Sequence, residues 1–435
     1  MQARSKGIRR RQLLGGIAAG AALGPTGLAM AGQANLPSLP GNRNPSELAR
    51  DEAFWSEVAG FYDRTGGIVN LEHGYWGKMA RPVQDAYINA TRMVNTQNSF
   101  YARKHYTSAA AESVRRVASA LGVHPDEIVL TRNATEAIDN LIRQYKGIDE
   151  GDAVLYADID YPEFKKTIRW LAPGRGARMV ELVIPPRANQ DQVFELYRDS
   201  FDANPDLKLM LIMHVSNQHG LTVPVARIAR EARKRGIDVI CDSAQSWGLL
   251  DFKVPSLEVD WIGFNLHKWI GAPLGVGALY MRRGSLEKIS PYPGEHDPEN
   301  TNAASRVHMG TTNFAATLTI PTALDFHEAI GPANKEARLR YLRQQWTPQA
   351  EAMDHIEVLG GLDEPSWSGM ASFRLRGQAG EDEVKALQLR LEKEFGIFTV
   401  VRDGLASVYC IRITPQVFTT PAEMALLVDS LGKLA

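Results

Sequence analysis

Between residues 110 and about 330 the chain alternates short runs of β-formers with helical stretches, and this rhythm constrains the fold more than any other feature. "EIVLT" precedes "ATEAIDNLIRQY", "AVLYADID" precedes "PEFKKTIRWLA", and "LKLMLIMHVS" precedes "VARIAREARKRG"; "DVICDSA", "WIGFNLHK" and "VGALYMRR" follow. Strands separated by helices at this spacing predict an α/β fold, a mostly parallel sheet covered on both faces. A charged helix from about 325 to 346, broken at Gly331 and Pro332, leads into a tail that reads strand, helix, strand, helix. The tail predicts a small α+β domain. Open sheets of this kind bind ligands at the carboxyl ends of their strands.

With 435 residues, 44% of them apolar, the chain has material for two domains. The expected division is a leader over 1–31, a linker and helical arm over 32–70, a large domain over 71–330 and a small domain over 331–435. A net charge of -1 with no long basic tract argues against nucleic acid as a partner. Cys241 and Cys410 are too few for a disulfide framework and read as buried packing thiols; no zinc spacing is present.

The first 31 residues differ from the rest. Arg9, Arg10 and Arg11 precede an apolar stretch from Leu13 to Ala31 that ends in the small-x-small triplet Ala29, Met30, Ala31. That layout predicts a twin-arginine secretory signal, and its glycines and Pro25 make it too weak for a stable membrane anchor. Five Lys/Arg and no Asp/Glu lie in this leader, so the mature chain would hold 44 cations against 50 anions, near -6. A protein exported folded has reason to carry a cofactor acquired inside the cell.

The strand ends supply the chemistry. In "LTRNATEAIDN", Ala134 and Thr135 follow Asn133 at a strand-to-helix turn, where free N–H groups and the helix dipole favour an anion. Tyr161 closes the next strand, Asn217 follows another, and "ICDSAQSWG" brings Asp242 and Gln245. Asp242 ends a run of β-formers, where a buried carboxylate needs a cation that the strand lacks. A protonated heterocyclic nitrogen would serve. In "FNLHKWIGAPLGVG", Lys268 follows His267 inside an apolar, glycine-rich stretch where a charged amine is costly. An imine-forming lysine, an acid for a ring nitrogen, a stacking ring and a phosphate-holding helix start are the requirements of pyridoxal 5'-phosphate chemistry.

The segments "SNQHGLTVP", "VICDSAQSWG", "DWIGFNLHKWIGAPLGVGALY" and "GTTN" resemble the class V aminotransferase family of fold-type I pyridoxal-phosphate enzymes over most of residues 70 to 420. Within the family the chain looks most like the isopenicillin N epimerase-like branch. The resemblance implies a large domain with a mostly parallel, seven-stranded-type sheet between helices and a small C-terminal domain. It further implies that Lys268 bonds the cofactor and shuttles the substrate's α-proton, Asp242 pairs with the pyridinium nitrogen, Tyr161 stacks on the ring, and Gln245 with Asn217 contacts its 3-oxygen. Ala134, Thr135, Asn265 and His267 would form the phosphate cup, and Thr311 would complete the cup of a second subunit, implying a homodimer with active sites at the interface. Arg412 would bind the substrate's α-carboxylate. Asn265 stands where many relatives have Ser or Thr.

The expected activity is that of an exported enzyme acting on an amino acid or amino-acid-derived metabolite, an aminotransferase or epimerase. Tailoring of a secreted metabolite such as a siderophore side chain, and a non-catalytic cofactor-binding protein, are the alternatives. The pocket is expected to draw on the segments "HGYWGKMARPV" and "NTQNSFYARKHY", read as loops, with Tyr75 as a substrate contact. Desulfurase chemistry is not expected, because the loop "VVRDGLAS" before Arg412 has no Cys and Cys410 belongs to a strand.

Overall fold

The computed structural model describes Pro37 and residues 43–295, 302–308 and 310–434. The leader reading, over 1–31, lies outside the described residues. The described chain opens with helices α1 (Pro45–Leu48) and α2 (Glu52–Ala59), strand β1 (Val69–Asn70), and helices α3 (Arg81–Lys104) and α4 (Tyr106–Leu121). The alternating region follows: β2 (Ile128–Thr131), α5 (Ala134–Gln144), β3 (Ala153–Ala157), α6 (Pro162–Gly174), β4 (Arg178–Leu182), β5 (Arg187–Ala188), α7 (Gln190–Ala203), β6 (Leu207–Met213), α8 (Val225–Lys234), β7 (Asp238–Ser243), β8 (Trp261–Asn265) and β9 (Gly277–Met281). The remainder is α9 (Phe314–Ile330), α10 (Pro332–Gln344), α11 (Thr347–Glu351), β10 (Ile356–Gly361), β11 (Ala371–Leu375), α12 (Glu381–Phe395), β12 (Ile397–Phe398), β13 (Val400–Leu405), β14 (Val408–Ile413) and α13 (Pro421–Gly432).

Seven strands form the main sheet in the order β2-β9-β8-β7-β6-β3-β4. All neighbours are parallel except those of β9, which runs against both β8 and β2. Two reversals cancel, so β2, β3, β6, β7 and β8 end on the same edge. The central strands are buried on both faces, as a sheet between helix layers requires: in β6 only Lys208 is exposed, whereas the edge strand β4 is largely exposed. Helix α8 shows the matching helical pattern, burying Val225, Ile228, Ala229 and Ala232 while Arg230 and Arg233 face water.

A second sheet, β13-β14-β11-β10-β5, is antiparallel apart from the β10–β5 pair. Its strand β5 comes from the middle of the alternating region. The segment after α2 also reaches it: β1 pairs with β12, and Glu72 bridges to Thr414 just past β14. Among the described residues no helix is long and apolar enough to cross a membrane.

Two expectations need correction. The segment "NTQNSFYARKHY" is not a loop; α3 runs through it to Lys104, kinked at Asn98, where φ is +48°. This helix buries only Val83, Ala90 and Tyr101, so its sequence shows almost no apolar stripe, and packing along α9 supplies what propensity does not. Helix α9 also begins at Phe314, well before 325, capped by Asn313. It is apolar on most sides and holds Pro321, which hides the helical period. The break at Gly331–Pro332 lies where the sequence puts it.

Candidate active site

Lys268 sits in the turn after β8, and its ammonium has no hydrogen-bond or ion-pair partner among the described residues. Burial pushes its pKa down to about 8; the Asp242 carboxylate opposes the shift, and the Arg412 and Arg402 cations add to it. Asp242, at the end of β7, is pushed up to about 6 by burial, against the Ala244 N–H that donates to its Oδ1 at 2.8 Å and the nearby Lys268. Lysine and carboxylate are thus each moved toward neutrality, the condition in which an amine can attack a carbonyl near pH 8.

The turn carrying Lys268 is clamped from several sides. The Gly77 N–H donates to the His267 carbonyl at 2.8 Å, and a Cβ on Gly77 would lie 1.7 Å from the Lys268 carbonyl oxygen. Only glycine allows this approach. Lys335, itself buried, donates to the Trp269 carbonyl at 2.6 Å. Gln245 accepts from Trp269 Nε1 and donates to the Gly74 carbonyl, both at 2.9 Å, so its amide ties the turn to the 72–77 loop. His267 donates through Nδ1 to the Val276 carbonyl at 3.1 Å; burial and the Lys268 charge hold its pKa near 4, so the ring is neutral with Nε2 left as an acceptor.

At the neighbouring strand end, Asn133 caps α5 by accepting from the Glu136 N–H at 2.8 Å. The Ala134 N–H is taken by Asn265 Oδ1 at 2.8 Å, while Thr135 stands half-buried in the first turn. Cβ atoms on Gly263 and Gly277 would lie 2.6 Å from Ile138 and from the Asn133 backbone, so β8 and β9 press directly on the start of α5. Asn217 is buried with its side-chain oxygen unpartnered. Tyr161, half-buried ahead of α6, packs edge-on to Phe164 at 5.2 Å, and burial raises its phenol pKa.

Arg412 leaves β14 toward the same place but is already bonded. Its Nη1 donates to the Asn217 carbonyl at 2.7 Å and its Nη2 to both Glu72 oxygens at 2.7 and 2.9 Å. A substrate carboxylate would have to displace Glu72 to use it. The sequence reading missed Glu72, Gly74 and Gly77, and also Arg402, whose charge is felt by both Lys268 and Tyr161. The two glycines of "LEHGYWG" were the available signal; a Cβ on Gly74 would lie 2.6 Å from Arg412 Nη2. Tyr75 is 71% exposed, its ring tilted against Trp76 at 5.4 Å, and Thr311 is exposed ahead of α9. Neither belongs to the buried cluster of this chain.

Pyridoxal phosphate fits these residues. An unbonded amine, an unbonded buried amide oxygen on Asn217, and a helix start cradled by two glycines converge at one sheet edge. Lys268 would hold the aldehyde, Asp242 would face the ring nitrogen, and the α5 start would take the phosphate. Among the described residues no group of three His, Cys, Asp or Glu could hold a metal ion.

Comparison with known proteins agrees. The model of the family described as Aminotransferase class-V matches residues 79–408. The chain is 25% identical over 387 residues to the isopenicillin N epimerase of Amycolatopsis lactamdurans, covering 85% of this chain and 95% of that one. It is 27% identical over 332 residues to a cysteine desulfurase of Haloferax volcanii, covering 72% and 76%. The solved structure of C-DES with glycine covalently linked to its PLP cofactor superposes with a TM-score of 0.74 at 22% identity, covering 84% of this chain and 96% of that one, a likeness of fold. The chain belongs to the class V aminotransferase family, and its cofactor is pyridoxal 5'-phosphate.

Proposed function

We propose that this protein is an exported pyridoxal-phosphate enzyme that removes and returns the α-proton of an amino acid or amino-acid-derived amine, with transamination or epimerisation as the outcome. The observation that carries the reading is the pair of Lys268, unbonded and poised near pH 8, with the buried Asp242. The bound cofactor supplies an electron sink that loosens bonds at the substrate's α-carbon. Asp242 would hold positive charge on the cofactor's ring nitrogen, Tyr161 would offer an aromatic surface to it, and Asn217 would offer an unpartnered buried oxygen. Lys268, whose amine is unbonded, would hold the cofactor's aldehyde and would serve as the base that carries a proton at the substrate's α-carbon.

The likeness to isopenicillin N epimerase over nearly that protein's whole length supports chemistry at the α-carbon. The likeness to cysteine desulfurases is not matched by a mobile thiol. Cys410 is fully buried in β14 with its pKa pushed up to about 11 by burial, and the 402–407 segment is pinned by the Ala406 N–H to Asp158 and the Gly404 N–H to Gln218. Export rests on the leader, which also supports the tailoring of a secreted metabolite. Thr311, exposed here, is free to serve a second copy.

The test is the absorption spectrum of the purified protein with amino acids and then a keto acid. A cofactor band that converts to the amine form and returns with keto acid establishes transamination. Solvent deuterium appearing at the α-carbon with inversion and no such conversion establishes epimerisation. A protein that takes up no cofactor overturns the reading.

A further inference from the structure

The ribbon of β13 and β14 carries two guanidiniums into the site, and the protein satisfies one of them. Its register sets Arg402 opposite Cys410 and Val400 opposite Arg412, so Arg402 and Arg412 leave the same face as diagonal neighbours. Arg412 is saturated by the Asn217 carbonyl and by both oxygens of Glu72. Glu72 is fixed in turn: it accepts from the Tyr75 N–H at 2.8 Å, and its backbone is laced to Thr414 through the flanking Leu71 and His73. Arg402 has no hydrogen-bond or ion-pair partner among the described residues, and its Nε is buried without an acceptor.

Arg402 is left without a bonded partner. The carboxylates that its charge feels are Glu72, which is already bonded to Arg412, and Asp403, its exposed neighbour in the strand, and neither makes a hydrogen bond or ion pair with it. A half-buried cation without a partner is costly, and a planar two-point donor suits a carboxylate. Arg402 is also held in place, because the strand beyond it is pinned at Gly404 and Ala406.

We propose that Arg402 binds the substrate's carboxylate, and that Glu72, by filling Arg412, makes this a pocket for amines bearing one carboxylate within reach of the cofactor. This deepens the functional reading above and rests on it. Glu72 stands where a second carboxylate of the ligand would otherwise dock, so it sets specificity without touching the reacting atoms.

The test uses the cofactor-loaded protein and simple acids, propionate with one carboxylate and succinate with two, titrated by calorimetry. Arg402→Gln is expected to weaken propionate at least about 30-fold and to raise KM for the amino substrate more than it lowers kcat, with part of the loss restored by Arg402→Lys. Glu72→Gln frees Arg412 and is expected to strengthen succinate relative to propionate by about tenfold or more. Unchanged propionate binding in Arg402→Gln, or wild-type protein that binds neither acid, overturns the proposal. The parent reading is checked separately by the cofactor band and its loss in Lys268→Ala. A normal band with an indifferent Arg402→Gln sinks only the role of Arg402.

Discussion

The sheet edge at β7 and β8 and the wall formed by β14 with the 71–77 loop both carry buried charge, yet they treat it in opposite ways. At the edge, Lys268 is left unbonded and Asp242 receives one backbone N–H. In the wall, Arg412 and Glu72 satisfy each other and are braced by Asn217 and Tyr75. The difference separates groups kept for a ligand from groups that build the frame. Framing groups are expensive to remove from the fold, and ligand groups are expensive to remove from the chemistry.

The largest expected effect tests the ligand side. Lys268→Ala should abolish turnover, a loss of about 10⁴-fold or more in single-turnover assays, with an unchanged circular dichroism spectrum. On the frame side, Arg412→Leu strands a buried Glu72 and should cost about 3–5 kcal/mol in urea unfolding, whereas Arg402→Gln, which leaves no protein partner behind, should cost less than about 1 kcal/mol. Equal costs for the two arginines would break the distinction.

Asp242→Asn should act in opposite directions on fold and chemistry. Burial lifts the Asp242 pKa from the ordinary 3.8 to about 6, so the stability it allows is full below about pH 4 and is lost as pH rises through 6. At pH 7 the apoprotein carries that penalty, and the Asn variant should be about 2–3 kcal/mol more stable while binding cofactor more weakly. The smallest effect concerns His219, a buried ring with both nitrogens unpartnered and a pKa held near 3 by burial. Its unfolded pKa is higher, so stability is full above about 6.5 and falls as pH drops toward 3. His219→Phe should flatten the unfolding free energy's slope between pH 6.5 and 5 by about 1.4 kcal/mol per pH unit. A slope that stays would place a ligand or water on this ring.

The edge was legible in the sequence because a charged residue stands out against an apolar strand. Asp242 after "IDVIC" and Lys268 within "FNLHKWIGAPLGVG" each violate their local pattern, and the strands around them lie where alternation puts them. The wall was not legible. Glu72 and Arg412 are separated by 340 positions, and nothing local to either reports the other. Arg402 lay in a segment read for the thiol it lacks, and a guanidinium's missing partner is visible only in three dimensions. The polar end of α3 was misread for a related reason: its helix depends on α9, more than two hundred residues later in the chain.

That early loop and late strand meet across nearly the whole described chain has a consequence for synthesis. The loop at Glu72 is made 340 positions before Arg412, so an emerging polypeptide has both sides of the pocket wall only after β14 is released and pairs back to that loop.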